Sequence, residues 1–97
     1  MVNTCKLHGF ARRLVRWGVS RAEHHRRTIS LIVEVIRAER LRLGWSKYRL
    51  ANSSGVSLPA ISLIEAGKRE PNVLTLLLLA DALGIRLGDI INRCDNQ

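Results

Sequence analysis

The chain has few of the residues that build cross-linked, metal-binding or membrane-spanning proteins. Its 97 residues include two cysteines, Cys5 and Cys94, near opposite ends. This spacing fits no CxxC or zinc-ligand pattern, so we predict a reduced chain without a metal site. No apolar run reaches the roughly 18 residues that cross a bilayer, and arginines interrupt any apolar signal segment in residues 1–27. We therefore expect a cytoplasmic protein without a membrane partner.

Aromatic and acidic residues are also scarce. The four aromatic residues are Phe10, Trp17, Trp45 and Tyr48, which gives little support to a surface that stacks the bases of single-stranded nucleic acid. Lys and Arg number 16 against 8 Asp and Glu, for a formal net charge of +8. A basic chain favours a polyanionic partner, but charge alone leaves DNA, RNA and an anionic membrane surface open.

The positive charge is concentrated at the N-terminal end. Residues 1–27 hold seven Lys and Arg against one acidic residue, whereas residues 28–97 hold nine against seven. We therefore divide the chain into a basic extension and a domain at this point. Within the extension, Phe10, Leu14 and Trp17 recur at helical spacing between arginines, which is typical of a short amphipathic helix. The extension could bind a DNA backbone, dock on the domain, lie on an anionic membrane or stay disordered.

Two short helices joined by a tight turn are predicted between Ser46 and Glu70. Ser46 and Ser57 each precede a helical pattern, where a serine hydroxyl accepts a hydrogen bond from a free backbone N–H. Gly55 lies between the helices, where the chain reverses direction and glycine reaches positive φ without steric penalty. Gly67 follows the second helix as a stop signal. This pattern is a helix-turn-helix, and it predicts DNA binding.

The helical rotation of about 100° per residue divides the residues of this unit into two faces. The inward face comprises Leu50, Ala51, Val56, Ile61 and Ile64. The outward face of the second helix comprises Pro59, Ser62, Leu63 and Ala66, with Leu58 at its margin. These outward residues are the ones that a major groove would contact.

Three further helices complete the predicted all-α domain, at about residues 30–43, 73–83 and 87–93. The helix at 73–83 is apolar around most of its circumference. Its inward residues are Leu76, Leu79, Ala80 and Leu83, which leaves Leu78, with Leu77 beside it, facing outward. Together with Ile90 and Ile91, these outward leucines favour a homodimer interface, and the alternative is a core contact inside the monomer.

The chain resembles the lambda-repressor and Cro family of helix-turn-helix domains over about residues 30–92. The matching positions are Leu50-Ala51, Gly55-Val56-Ser57, Ile61-Ser62, Ile64-Glu65, Gly67, Pro71, Leu79-Ala80 and Ala82-Leu83-Gly84. The resemblance implies a compact five-helix domain that binds double-stranded DNA. It also implies a transcriptional regulator, for which we favour repression over activation.

The resemblance implies roles for individual residues. The base-reading positions would be Leu58, Pro59, Ser62 and Leu63. The contacts to the DNA backbone would come from Lys47, Ser57, Lys68 and Arg69. Arg40 on the first helix would pair with Glu65 and hold the recognition helix in place. Because the base-reading positions are mostly apolar, we expect modest direct readout, in which Leu58 and Leu63 could at best cover thymine methyl groups.

A protein-interaction module is the alternative function. An antitoxin that binds DNA mainly in complex with a toxin would use the exposed leucines and the basic extension as contacts, and RNA polymerase is another possible protein partner. An enzyme has little support, because the sequence shows no Gly-rich phosphate loop, no carboxylate pair in a cleft and no Cys-His or Ser-His arrangement. We expect no cofactor.

Overall fold

The structure is a computed structural model that describes residues 20–95, and these residues form five α-helices. The helices are α1 (Arg21–Arg42), α2 (Lys47–Ser54), α3 (Leu58–Glu65), α4 (Val73–Ala82) and α5 (Leu87–Asp95). Residues 20–95 contain no strand, so the predicted all-α class is confirmed. The amphipathic helix expected around Phe10, Leu14 and Trp17 lies outside the described residues, as does Cys5.

α1 begins earlier than the sequence pattern predicted. The expected start was near residue 30, but the helix begins at Arg21, after an N-cap at Ser20. The Ser20 hydroxyl accepts a hydrogen bond of 3.0 Å from the backbone N–H of Glu23. The apolar pattern misses this start because residues 21–27 are all exposed and form no inward face. The helix therefore runs without a break across the boundary expected between residues 27 and 28.

Polar side chains cap the next three helices, and two of these caps are the predicted serines. Ser46, Ser57 and Asn72 each accept a hydrogen bond from the backbone N–H three residues later, at 3.0, 3.2 and 2.8 Å. Each cap satisfies an N–H that the first helical turn leaves unpaired. The predicted starts of α2, α3 and α4 are confirmed.

The turn between α2 and α3 depends on Gly55. Its φ of 82° lies in the left-handed region, and its backbone N–H donates to the carbonyl of Ala51 at 2.9 Å. A left-handed residue closes α2 and redirects the chain, so that α3 begins after a connection of residues 55–57. The predicted helix-turn-helix is therefore confirmed in its connection as well as in its helices.

The core lies where α1 and α5 meet the helix-turn-helix and α4. The most deeply buried large side chains are Ile36, Leu50, Ile61 and Ile90, one each from α1, α2, α3 and α5. Full burial of a side chain of this size contributes roughly 1.5–3 kcal/mol, so apolar contact holds the helices together. The inward residues predicted on α2 and α3 all belong to this core or pack against it.

α4 also has the predicted orientation. Its inward leucines and Ala80 are buried, whereas Leu77 and Leu78 are exposed. The prediction that Ile90 contributes to an exposed interface is wrong, because only 1% of this side chain is exposed. α5 packs against α1 and α4, and this packing places Ile90 in the core and Ile91 at its edge.

An ion pair between Arg40 of α1 and Glu65 holds the end of α3. The Nε and Nη2 atoms of Arg40 donate to the two carboxylate oxygens of Glu65 at 2.9 and 2.8 Å. The Nη1 atom donates to the backbone carbonyl of Trp45 at 2.8 Å. The side chains are 7% and 5% exposed. Such a bidentate pair is strongly directional, so it determines where α3 lies against α1.

Arg37 contributes a weaker contact to the same carboxylate. Its Nε atom lies 3.8 Å from a Glu65 oxygen, and its side chain is half exposed. Burying an ion pair removes both charges from water, and the cost of this transfer offsets much of the attraction. The pair therefore acts mainly as a positional constraint, and removing one partner leaves the other charge buried.

Substitution of Gly55 tests the backbone requirement at the turn. An added Cβ would meet no atom within 4 Å, so any loss of stability in Gly55→Ala comes from the left-handed backbone. We expect the free energy of unfolding to fall by about 1–2 kcal/mol. Gly88→Ala in α5 is the matched control, since its Cβ also meets nothing, and it should raise stability by up to about 1 kcal/mol. Changes of the same sign in urea denaturation would contradict this account.

Removal of Glu65 tests the ion pair. We expect Glu65→Ala to lower the free energy of unfolding by about 3–5 kcal/mol, because it leaves the Arg40 guanidinium buried without its carboxylate. Glu39→Ala is the matched control, because it removes a carboxylate from a more exposed ion pair. Glu39 accepts hydrogen bonds from Arg42, which lower the pKa of its carboxyl, but the Arg42 side chain is largely exposed. Equal loss of stability in the two variants would show that the buried ion pair contributes no more to the free energy of unfolding than the exposed one.

Candidate nucleic-acid interface

α3 presents one side to solvent along its whole length. The structure places the four predicted base-reading residues on this side: Leu58, Pro59, Ser62 and Leu63. Leu58 and Leu63 are 39% and 41% exposed, and Ser62 is partly exposed. The opposite side of α3 is buried in the core. Pro59 lies in the first turn of α3. Backbone N–H groups in a first turn have no partner within the helix, so the N–H that proline lacks costs no helical hydrogen bond.

The dimensions of α3 suit a DNA groove. Its eight residues rise about 12 Å in total, and a helix with side chains is about 10–12 Å across. The major groove of B-DNA is about 12 Å wide and admits one helix. The short connection to α2 and the burial of its inner side leave the outer side of α3 free to enter such a groove.

Exposed positive charges lie at both ends of the helix-turn-helix. Lys47 is the first residue of α2, and Lys68 and Arg69 follow the end of α3 in the connection to α4. Lys47 therefore adds its charge to the positive end of the α2 dipole, where backbone N–H groups also favour anions. In protein–DNA complexes, contacts from Lys and Arg to phosphates orient the protein without reading bases.

Ser57 combines a structural contact with a free donor. Its hydroxyl oxygen accepts a hydrogen bond from the backbone N–H of Ala60 at 3.2 Å. A serine hydroxyl has one donor as well as its acceptor sites. The cap therefore leaves the hydroxyl hydrogen available as a donor at the start of α3.

Two exposed residues of α2 lie next to the α3 face, and the sequence pattern did not identify them. Tyr48 and Asn52 line an open depression of about 430 Å³ together with Gly55, Ser57 and Leu58. Helical spacing could place Tyr48 and Asn52 on one side of α2, because they are four residues apart. Only the crossing of α2 over α3 brings them next to Leu58 and so to the edge of the α3 face.

Arg49 was also missed. Its guanidinium carbon lies 4.5 Å from the ring centroid of Trp45, in a cation–π contact. The spacing of four residues between Trp45 and Arg49 could have indicated this contact. Trp45 precedes α2, however, and does not belong to its helical pattern. The contact holds Arg49 against the body of the domain.

The N-terminal part of α1 approaches the connection between α3 and α4. The Nε atom of Arg26 lies 3.4 Å from a carboxylate oxygen of Glu70, and both side chains are exposed. A depression of about 350 Å³ at this point is lined by charged residues of both signs, including Arg26, Glu34, Arg69 and Glu70. The basic turns of α1 therefore lie beside the positive charges that follow α3.

Residues 20–95 offer no group of three or more His, Cys, Asp and Glu side chains that could hold a metal ion. His24 and His25 are adjacent and exposed on α1. Over the same range, no helix has the length and apolar character needed to span a membrane. Cys94 has a free thiol buried in the core on α5.

A family model described as helix-turn-helix matches residues 36–90, which is more than half of the chain. No curated protein and no solved structure matches. The matched region begins within α1 and ends within α5, so it includes the α2–α3 unit and the exposed face of α3. The chain belongs to the helix-turn-helix family of the lambda-repressor and Cro type, whose domains bind DNA in transcription regulators.

Proposed function

We propose that this protein is a sequence-specific regulator of transcription that inserts α3 into the major groove of duplex DNA. The observation that carries the proposal is the exposed outer face of α3 between positively charged ends of the helix-turn-helix. In this arrangement the base-reading residues are Leu58, Pro59, Ser62 and Leu63. Ser62 supplies hydrogen bonds to base edges, and the other three supply apolar contacts.

The phosphate contacts come from residues around α3. Lys47 and the N-terminus of α2 bind one phosphate group. At the start of α3, Ser57 donates its hydroxyl hydrogen to another phosphate. Lys68 and Arg69 bind the backbone beyond the other end of α3. These contacts provide the affinity that depends on salt, while α3 provides the discrimination between sequences.

We favour repression over activation of transcription. A domain bound across a promoter blocks access of polymerase by its bulk alone, whereas activation requires a further matched surface. The proposal is tested by selecting sites from a random duplex pool with the full chain, followed by gel-shift titration against excess competitor DNA. A shortened chain should begin at residue 20 rather than 28, because a later start removes the N-cap of α1. Binding that shows no sequence preference would contradict the proposal.

We further propose that two copies pair through an exposed apolar face of α4. This α4 face consists of Val73, Leu74, Leu77 and Leu78, which helical spacing places side by side. Leu74 and Leu77 are 64% and 48% exposed, and contiguous exposed apolar residues mark interaction sites. A two-fold pairing would suit a palindromic operator with half-sites about 34 Å apart.

The same α4 face favours a second candidate function. A protein-interaction module such as an antitoxin would cover these residues with a different protein, either a toxin or RNA polymerase. In that case DNA binding would be tight only in the complex. The two candidates therefore differ in the occupant of the α4 face and in whether the isolated chain binds DNA tightly.

Lys47→Ala tests the phosphate contacts. We expect the slope of log K against log salt concentration to decrease in magnitude by about one, because one released counterion is lost. Arg93→Ala on α5 is the control, since it removes the same charge from an exposed position on another helix. The slope is measured by fluorescence anisotropy with a fixed duplex. An unchanged slope in Lys47→Ala would exclude this residue as a phosphate ligand.

Leu77→Lys tests the homodimer. We expect the full chain to sediment as a dimer and Leu77→Lys to sediment as a monomer, because the new charge would be buried in the pairing surface. Leu41→Lys is the matched control, since Leu41 is an equally exposed leucine on α1. A monomeric wild-type chain at high concentration would refute the homodimer and favour a different protein as occupant of the α4 face.

A further inference from the structure

The outer face of α3 is unusual in its chemistry for a surface that reads DNA. Leu58, Pro59 and Leu63 have side chains without hydrogen-bond donors or acceptors, and Ser62 is only partly exposed. Discrimination in the major groove rests on donors and acceptors at base edges and on the thymine 5-methyl group. Three of the four side chains can therefore respond favourably only to the methyl group.

The apolar contacts also carry a penalty against other bases. A leucine pressed against the N7 and O6 atoms of guanine removes water from these acceptors and offers no hydrogen bond in return. Against a thymine methyl group, the same leucine buries carbon against carbon. The preference thus has an attractive part at thymine and a repulsive part at G·C pairs.

The depression beside Leu58 adds further carbon atoms to this surface. It is lined by Ala51, Val56 and Tyr48 as well as by the polar side chains of Asn52 and Ser57. A methyl group that entered the depression would contact the carbon atoms of the first three. Leu63 lies further along α3, so the face has an apolar contact near each end of the helix.

We propose that this protein selects its DNA sites chiefly through the positions of thymine 5-methyl groups, which Leu58 and Leu63 contact. The inference rests on the proposed function, since it takes the major groove as the occupant of the α3 face. Charge supports that occupant over an apolar protein surface. Lys47 begins α2, and Lys68 and Arg69 follow α3, and all three side chains are exposed. Such a surplus of positive charge favours a polyanionic partner.

Replacement of thymine by deoxyuridine tests the proposal without any change in the protein. Deoxyuridine pairs as thymine does but lacks the methyl group. In the best duplex selected by the full chain, single replacements at contacted positions should weaken binding about fourfold each, as expected for the burial of one methyl group. If replacing a thymine by cytosine weakens binding, 5-methylcytosine at the same position should restore part of the lost affinity.

A cycle with protein variants assigns the effect to a residue. In Leu63→Ala, deoxyuridine at the position that Leu63 contacts should weaken binding less than twofold, because the partner of the methyl group is gone. In Leu41→Ala, which changes an exposed leucine on α1, the full effect should remain. Anisotropy titrations of the three proteins against the two duplexes give all six affinities.

The outcomes separate this proposal from the function on which it rests. Sequence-specific duplex binding that is unaffected by deoxyuridine at every position would overturn methyl readout and leave the regulator function intact. Absence of sequence-specific duplex binding would overturn both. If deoxyuridine weakened binding equally in wild type and Leu63→Ala at every position, Leu63 would not contact a thymine methyl group.

Discussion

The position of α3 in this domain depends on the buried ion pair between Arg40 and Glu65. α3 has only eight residues, and one of its sides is exposed, so apolar burial holds it from one direction alone. The two parallel hydrogen bonds from Arg40 add a fixed orientation at the end of the helix. Because the third donor group of Arg40 binds the Trp45 carbonyl, the same side chain links α1, α3 and the start of the helix-turn-helix.

This constraint matters because an apolar contact surface has little directionality of its own. Hydrogen bonds to base edges align a recognition helix by their geometry, but the apolar contacts proposed for Leu58 and Leu63 would not. Discrimination by methyl position requires a helix whose orientation is already set before DNA is bound. In the proposed complex, the fixed orientation of α3 and the phosphate contacts of the basic residues would together supply the alignment that the apolar residues lack.

The local features of the fold were predictable because each depends on neighbours in sequence. Ser46, Ser57 and Asn72 cap helices through the residue three positions later, and Gly55 turns the chain by its own φ. The start of α1 was not predictable from apolar spacing, since its first two turns are exposed on all sides. Ser20 is the local signal for that start, but a single serine is too common to identify a cap.

The all-α class, the helix caps and the inward sides of α2, α3 and α4 could be predicted from residue order, because periodicity and capping act within a few residues. The position of Tyr48 and Asn52 beside Leu58, and the burial of Ile90 in the core rather than at a surface, could not be predicted in this way. These outcomes depend on how separate helices cross and pack. Side-chain volume and burial across the whole domain decide that packing, and no short stretch of sequence contains that information.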